Sequence, residues 1–395
     1  MYRFAFVLLC VAASSAVPTT KDLHPDTGLN VIELVEKYEY PIEIHSVTTK
    51  DGYILDLHRI PHGLNNAEET DKPAILLMHC LLCSSGIWVA MGPENGLAFI
   101  LADLGYDVWM PNARGTTYSK KHTTLDPDED KKDFWDFSWH EIGSIDVATS
   151  IDYILETTGQ DSLYHIGHSQ GTTSFYVLAA DRPEYNDKIR LHISLAPVVY
   201  MSHLDNILLQ WLAPYADSIE TIAHIIGMYE FLPNMETILE ILGDVCHNSL
   251  SEQCNNIFFQ IFGTSENIDE WMMPVIATHL PAGASLKQFV HYAQEIETGK
   301  FSKFDYGLVQ NLVEYGHVSP PSYDISKITC PIALFYATSD SMAAIEDVDQ
   351  LSGELPNLVY KYLMPDESFN HIDFLFAEGL VDNMYKRIIS LLSKY

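Results

Sequence analysis

The pentapeptide Gly167-His168-Ser169-Gln170-Gly171 limits the possible folds of this 395-residue chain more than any other feature. It ends an apolar run, residues 163–167, that reads as a buried strand. It opens a segment, residues 171–180, that reads as a helix. A Gly-x-Ser-x-Gly between strand and helix is a sharp corner that lifts the serine hydroxyl above the edge of a sheet. The flanking glycines are needed because strand and helix nearly touch at such a corner. The helix start also aims backbone N–H groups at negative charge developing beside the serine. Ser169 is therefore a candidate nucleophile; a glycine-rich turn with a capping serine is the plain structural alternative.

The rhythm around this corner sets the fold class. Residues 42–49 and 53–60 flank Asp51-Gly52 as a β-hairpin. Residues 74–79 and 106–110 are short apolar runs, as expected of strands covered on both faces. Residues 96–104 read as a helix. Residues 141–158 place Ile142, Ile145, Ala148, Ile151, Ile154 and Leu155 at helical spacing, closed by Gly159. Further strands are expected at residues 189–195, 332–337 and 358–363. Strands alternating with helices imply an α/β fold with a mostly parallel sheet. Between Pro197 and about Pro321 the alternation gives way to heavily apolar helical patterns, including residues 225–233 and 256–263. We read core segments at 17–197 and 322–395, and an inserted helical cap with a lid at 198–321.

A nucleophilic serine needs a base and an acid to orient that base. On a corner of this type the chain order is serine, acid, histidine. Asp340 lies just beyond the strand at 332–337, at the end where parallel sheets keep their sites. His371 is the only one of the 17 histidines that follows Asp340. Asp347 and Asp349 are the fallback acids. Backbone N–H groups of Gln170, after the serine, and Leu81, in the loop after the third strand, are the expected oxyanion donors. His79, at the start of that loop, reads as a packed structural histidine.

The same loop carries Cys80-x-x-Cys83. A thioredoxin-like pair would start a helix, but Gly86, Gly92 and Pro93 follow. A zinc site would need a second ligand pair, and none is apparent in the sequence. The expectation is two small buried thiols, with a loop disulfide as the alternative. No cofactor or metal is expected.

The formal net charge of -32 excludes nucleic-acid binding, which needs basic patches. It also opposes electrostatic docking to anionic membranes. Residues 1–16 read as a signal peptide, with an apolar stretch too short to span a bilayer. No later segment has 18 uncharged apolar residues, so no transmembrane span is expected. Removing Cys10 leaves five cysteines, so at least one thiol is unpaired. No Asn-x-Ser/Thr sequon is present.

The ordered segments AFILADLGYDVWMPNARG, FWDFSWHEIG, LYHIGHSQGTT, THLPAGAS, GKFSKFDYG, PNLVY and FNHIDF carry a resemblance. From about residue 30 to its end the chain is similar to the animal acid lipases, gastric and lysosomal, and their insect relatives. The resemblance implies an α/β-hydrolase core with a cap and a mobile lid. It implies hydrolysis of acylglycerols, or of cholesteryl esters in the lysosomal branch, by a monomer at a lipid–water interface. It implies a triad at Ser169, Asp340 and His371, an oxyanion pair at Leu81 and Gln170, and a cap disulfide between Cys246 and Cys254. The family usually has glycine where this chain has Cys80, and glycine permits backbone that a residue with a Cβ resists. Secretion is the expected location and the lysosome the alternative, disfavoured by the missing sequons. Rival functions are a lipid carrier with weakened catalysis and an esterase for small soluble esters.

Overall fold

The computed structural model describes residues 23–206, 209–210, 213–225, 227–231 and 265–395. One sheet holds eight strands: β1 (Glu43–Thr48), β2 (Ile54–Ile60), β3 (Ala74–Met78), β4 (Asp107–Pro111), β5 (Leu163–His168), β6 (Ile189–Leu195), β7 (Ile332–Tyr336) and β8 (Leu358–Leu363). Their order is β1-β2-β4-β3-β5-β6-β7-β8. The pairs β1–β2 and β2–β4 are antiparallel, and every other neighbouring pair is parallel. Every residue of β3, β4 and β5 is buried. That is why β3 appears in the sequence as an unbroken apolar run, and β4 and β5 are apolar but for Asp107, His165, His168 and the Gly167 of the corner, rather than alternating.

The flanking helices include α1 (Leu97–Asp103), α2 (Ala148–Thr158), α3 (Gln170–Asp181), α4 (Leu286–Thr298), α5 (Ile345–Glu354) and α6 (Lys386–Leu392). The single helix expected across 141–158 is composite. A turn at Trp139–Glu141, started by a capping box of Ser138 and Glu141, widens into a π-helical turn at Ile142–Val147 before α2 begins. The wide turn falls where the backbone meets two constraints at once. A Cβ on Gly143 would lie 2.5 Å from Ser174 O of α3. Asp146 is turned inward to hold the buried guanidinium of Arg114. Gly159 ends α2 with φ +68°, the left-handed closure expected of it.

Between β6 and β7 the named elements among the described residues are helical, including Ala216–Ile225, Met273–His279, α4 and Leu308–Tyr315. Ala223, Leu286, Val290 and Phe304 form a small apolar cluster separate from the main core. His291 of α4 stacks on Trp139 of the core at 3.5 Å and also meets Phe304 of the small cluster edge-on at 5.3 Å. No helix among the described residues is long and apolar enough to cross a membrane.

Candidate active site

Ser169 sits between the last residue of β5 and the first of α3, with φ +52° and ψ -119°. A non-glycine residue pays roughly 1–2 kcal/mol for left-handed backbone, so the corner must be over-determined by its surroundings. Its N–H donates to Leu195 O at 3.1 Å. Its carbonyl accepts from the Thr172 hydroxyl at 2.6 Å and from Thr172 N at 2.8 Å. The flanking glycines are there for space. A Cβ on Gly167 would lie 2.6 Å from the Gly171 backbone, and one on Gly171 only 2.3 Å from Met78 O of β3.

His371 follows β8, and its Nε2 lies 2.7 Å from the Ser169 hydroxyl. Its Nδ1 lies 2.9 and 3.0 Å from the two carboxylate oxygens of Asp340. A carboxylate can only accept here, so Nδ1–H donates to Asp340 and the Nε2 lone pair faces the serine O–H. All three residues are buried, His371 completely. Burial alone would raise the Asp340 carboxyl. Facing His371, and accepting from Met342 N and Ala343 N at 2.9 Å each, instead hold it below its ordinary 3.8. The fallback acids are engaged elsewhere: Asp347 with His203 and Asp349 with Lys361.

The sequence reading gave His168 no role. It is fully buried, and its Nε2 lies 2.8 Å from the His371 carbonyl, so it tethers the backbone of the base. Burial pushes its imidazole down to about 3. Position alone carried the signal, since His168 directly precedes the corner serine.

Gln170 occupies the first helical position, so its N–H has no acceptor within α3. Leu81 lies in the loop leaving β3. His79 is buried as expected; its Nδ1 lies 2.8 Å from Cys80 O and its Nε2 accepts from Ala113 N at 3.0 Å. Burial pushes it down to about 4 and keeps it neutral. The loop corrects two expectations. Cys80 and Cys83 are not two thiols but a disulfide, because a tight turn brings their Cα atoms to 5.1 Å. The left-handed residue of the loop is Leu82, at φ +60°, and not Cys80. The cysteine at the family's glycine position therefore meets no forbidden backbone. Cys246 and Cys254 lie outside the described residues, as do residues 1–16. Among the described residues no three His, Cys, Asp or Glu side chains converge to hold a metal ion.

Comparison with known proteins accords with this geometry. Residues 31–92 match the model of a partial α/β-hydrolase lipase region, and residues 73–224 that of the α/β hydrolase fold. The chain is 41% identical to Lipase 1 of Drosophila melanogaster, over 95% of this chain and 82% of that one. It is 37% identical to gastric triacylglycerol lipase of Bos taurus, over 94% and 93% of the two chains. It is 36% identical to human lysosomal acid lipase/cholesteryl ester hydrolase, over 94% and 92%. Among solved structures, carboxylesterase CesB of Bacillus subtilis shares the fold at 13% identity and a TM-score of 0.51, covering 92% and 96% of the two chains. The chain belongs to the animal acid lipase family of the α/β-hydrolases and is a carboxylic ester hydrolase of that family.

Proposed function

We propose that this protein is a secreted lipase that hydrolyses acylglycerol esters through an acyl-enzyme on Ser169. The observation that carries the reading is the buried relay from Ser169 Oγ through His371 to Asp340, at 2.7 and 2.9 Å. His371 takes the serine proton as the hydroxyl attacks the ester carbonyl. Asp340 holds the ring and stabilises the imidazolium. N–H groups of Leu81 and Gln170 bind the oxyanion, each worth about 10²–10³ in rate. The alcohol leaves with the proton from His371, and water activated by the same ring releases the fatty acid.

In this reading the described part of residues 198–321 belongs to a cap over the site, while residues 232–264, with the apolar patch at 256–263, lie outside the described residues. The separate apolar cluster around Phe304 supports a second layer. Ser169 is only 5% exposed, so a long acyl chain reaches it only after covering chain moves aside. Gastric and lysosomal relatives make acylglycerols, and for the lysosomal branch steryl esters, the substrates to try first. The signal-like residues 1–16 support export.

The test is fatty-acid release from a triacylglycerol emulsion beside turnover of a soluble short-chain ester. Wild type should accelerate once substrate forms droplets, and Ser169→Ala should lose at least about 10⁴-fold in kcat. Equal rates above and below substrate solubility would favour an esterase. A Ser169→Ala variant as active as wild type would end the acyl-enzyme reading.

A further inference from the structure

We infer that the Cys80–Cys83 disulfide is a positioning clamp for the oxyanion donor Leu81, an inference that rests on the hydrolase reading above. Cys83 N donates to Cys80 O at 3.2 Å, closing a four-residue turn with Leu81 and Leu82 at its centre. The third residue, Leu82, has φ +60°. Turns with a left-handed third residue ordinarily carry glycine or asparagine there. A side chain with a Cβ disfavours that backbone by roughly tenfold. Leucine at this position leaves the turn short of intrinsic stability, and the sulfur bridge from its first to its fourth residue supplies the missing restraint.

Two further contacts hold the loop besides the bridge. His79 Nδ1 lies 2.8 Å from Cys80 O, and Ala282 N donates to Leu82 O at 2.6 Å. Cys80 O is the carbonyl of the peptide whose N–H, on Leu81, is the proposed donor, so the contacts of that oxygen with His79 Nδ1 and Cys83 N aim the donor only while the turn keeps its shape. Among the described residues that N–H has no partner of its own. The disulfide spans this peptide directly, and Cys83 Sγ lies 3.3 Å from Leu81 O. Both cysteines are buried, so the clamp is shielded from solvent thiols. Cys330, the free cysteine among the described residues, sits apart from the loop, just before β7.

The test compares wild type, Cys83→Ser, and the double variant Leu82→Gly with Cys83→Ser. Each is assayed for kcat and KM on a soluble short-chain ester, for affinity toward an alkyl boronic acid that mimics the tetrahedral intermediate, and for melting temperature. Cys83→Ser should lose about tenfold or more in kcat with KM within about twofold, and boronate affinity should fall with kcat. Glycine relieves the left-handed position without restoring the bridge, so the double variant should return to within about threefold of wild type. Full kcat in Cys83→Ser, or a folded double variant with kcat still about tenfold or more below wild type, overturns the clamp. If Cys83→Ser fails to fold, the double variant decides alone. A wild type that turns over no ester overturns the hydrolase reading together with the clamp, whereas an active wild type with an unaffected Cys83→Ser overturns the clamp only.

Discussion

Adding one methyl group at Gly171 should remove most of the activity. A Cβ there would lie 2.3 Å from Met78 O and 2.9 Å from His79 O, about 1 Å short of ordinary contact at the closest point. Met78 cannot retreat, because it pairs with Gly167 in the β3–β5 ladder and β3 is buried at every residue. Either the start of α3 or the end of β3 must therefore shift by about that amount. The first carries Gln170 N–H, and the second leads into the loop with Leu81. Overpacking of this kind costs about 1–3 kcal/mol in stability. A displacement near 1 Å in a catalytic constellation costs about 10²-fold in rate. Gly171→Ala should therefore lose about 10²-fold in kcat on a soluble ester, with a lower melting temperature. Gly159→Ala is the control. Its φ is +68° with nothing within 4 Å of an added Cβ, so it should cost about 1 kcal/mol of stability and no activity. Retention of kcat within about threefold in a folded Gly171→Ala would refute the steric reasoning, as would an equal loss in Gly159→Ala.

Two further outcomes concern stability. Glu295 in α4 is fully buried with neither carboxylate oxygen hydrogen-bonded among the described residues, and burial first, then the charge of Asp347, raises it well above its ordinary 4.5. The unfolded carboxyl ionises above that pH while the folded one does not, so stability should fall as pH rises, by about 1.4 kcal/mol per unit until the folded group ionises. The buried His58, His79 and His279, pushed down to about 4, and His165, pushed down to about 3, have the opposite sign and lose stability as pH falls below 6.5. Thermal melts against pH should give a bell, and Glu295→Gln should lift only its alkaline side; a flat profile in both proteins would contradict the assignment. Arg114 is buried against Asp146 at 2.6 Å, reaches Asp51 at 2.6 Å and stacks over Tyr53 at 4.0 Å. Arg114→Met strands the Asp146 charge and should cost about 3–5 kcal/mol by urea unfolding, partly recovered when Asp146→Asn is added. A single variant within about 1 kcal/mol of wild type would show that the pair is not structural.

Legibility in the sequence followed the range of the interaction. The central strands could be read because a strand covered on both faces is mostly apolar along its length, and β1 and β2 because they flank the hairpin turn Asp51-Gly52. The proposed triad could be assembled from the sequence because one corner motif and one chain order leave a single histidine, His371, after the acid, and the fold brings these side chains to 2.7 and 2.9 Å. Choosing Asp340 over Asp347 rested on its place at a strand end, and only the fold shows that Asp347 is spent on His203. The Arg114 cluster was illegible: Asp146 and Asp51 lie 32 and 63 residues away, and no local pattern joins them. The fate of Cys80 and Cys83 was illegible for another reason. Their spacing fits thiols and a disulfide alike, and the deciding variable is the backbone angle of Leu82 between them. The resemblance pointed to the right loop but to the wrong residue as its strained one. Of the five non-glycine residues with positive φ among the described residues, Leu82, Ser169 and Ala196 follow β3, β5 and β6, three adjacent strands of the sheet. Strain is thus gathered along one edge, the one that carries the proposed nucleophile and oxyanion donors. Such conformations persist only where surrounding contacts over-determine them. At Ser169 those contacts are the hydrogen bonds to Leu195 and Thr172; at Leu82 they are Ala282 and a covalent bridge.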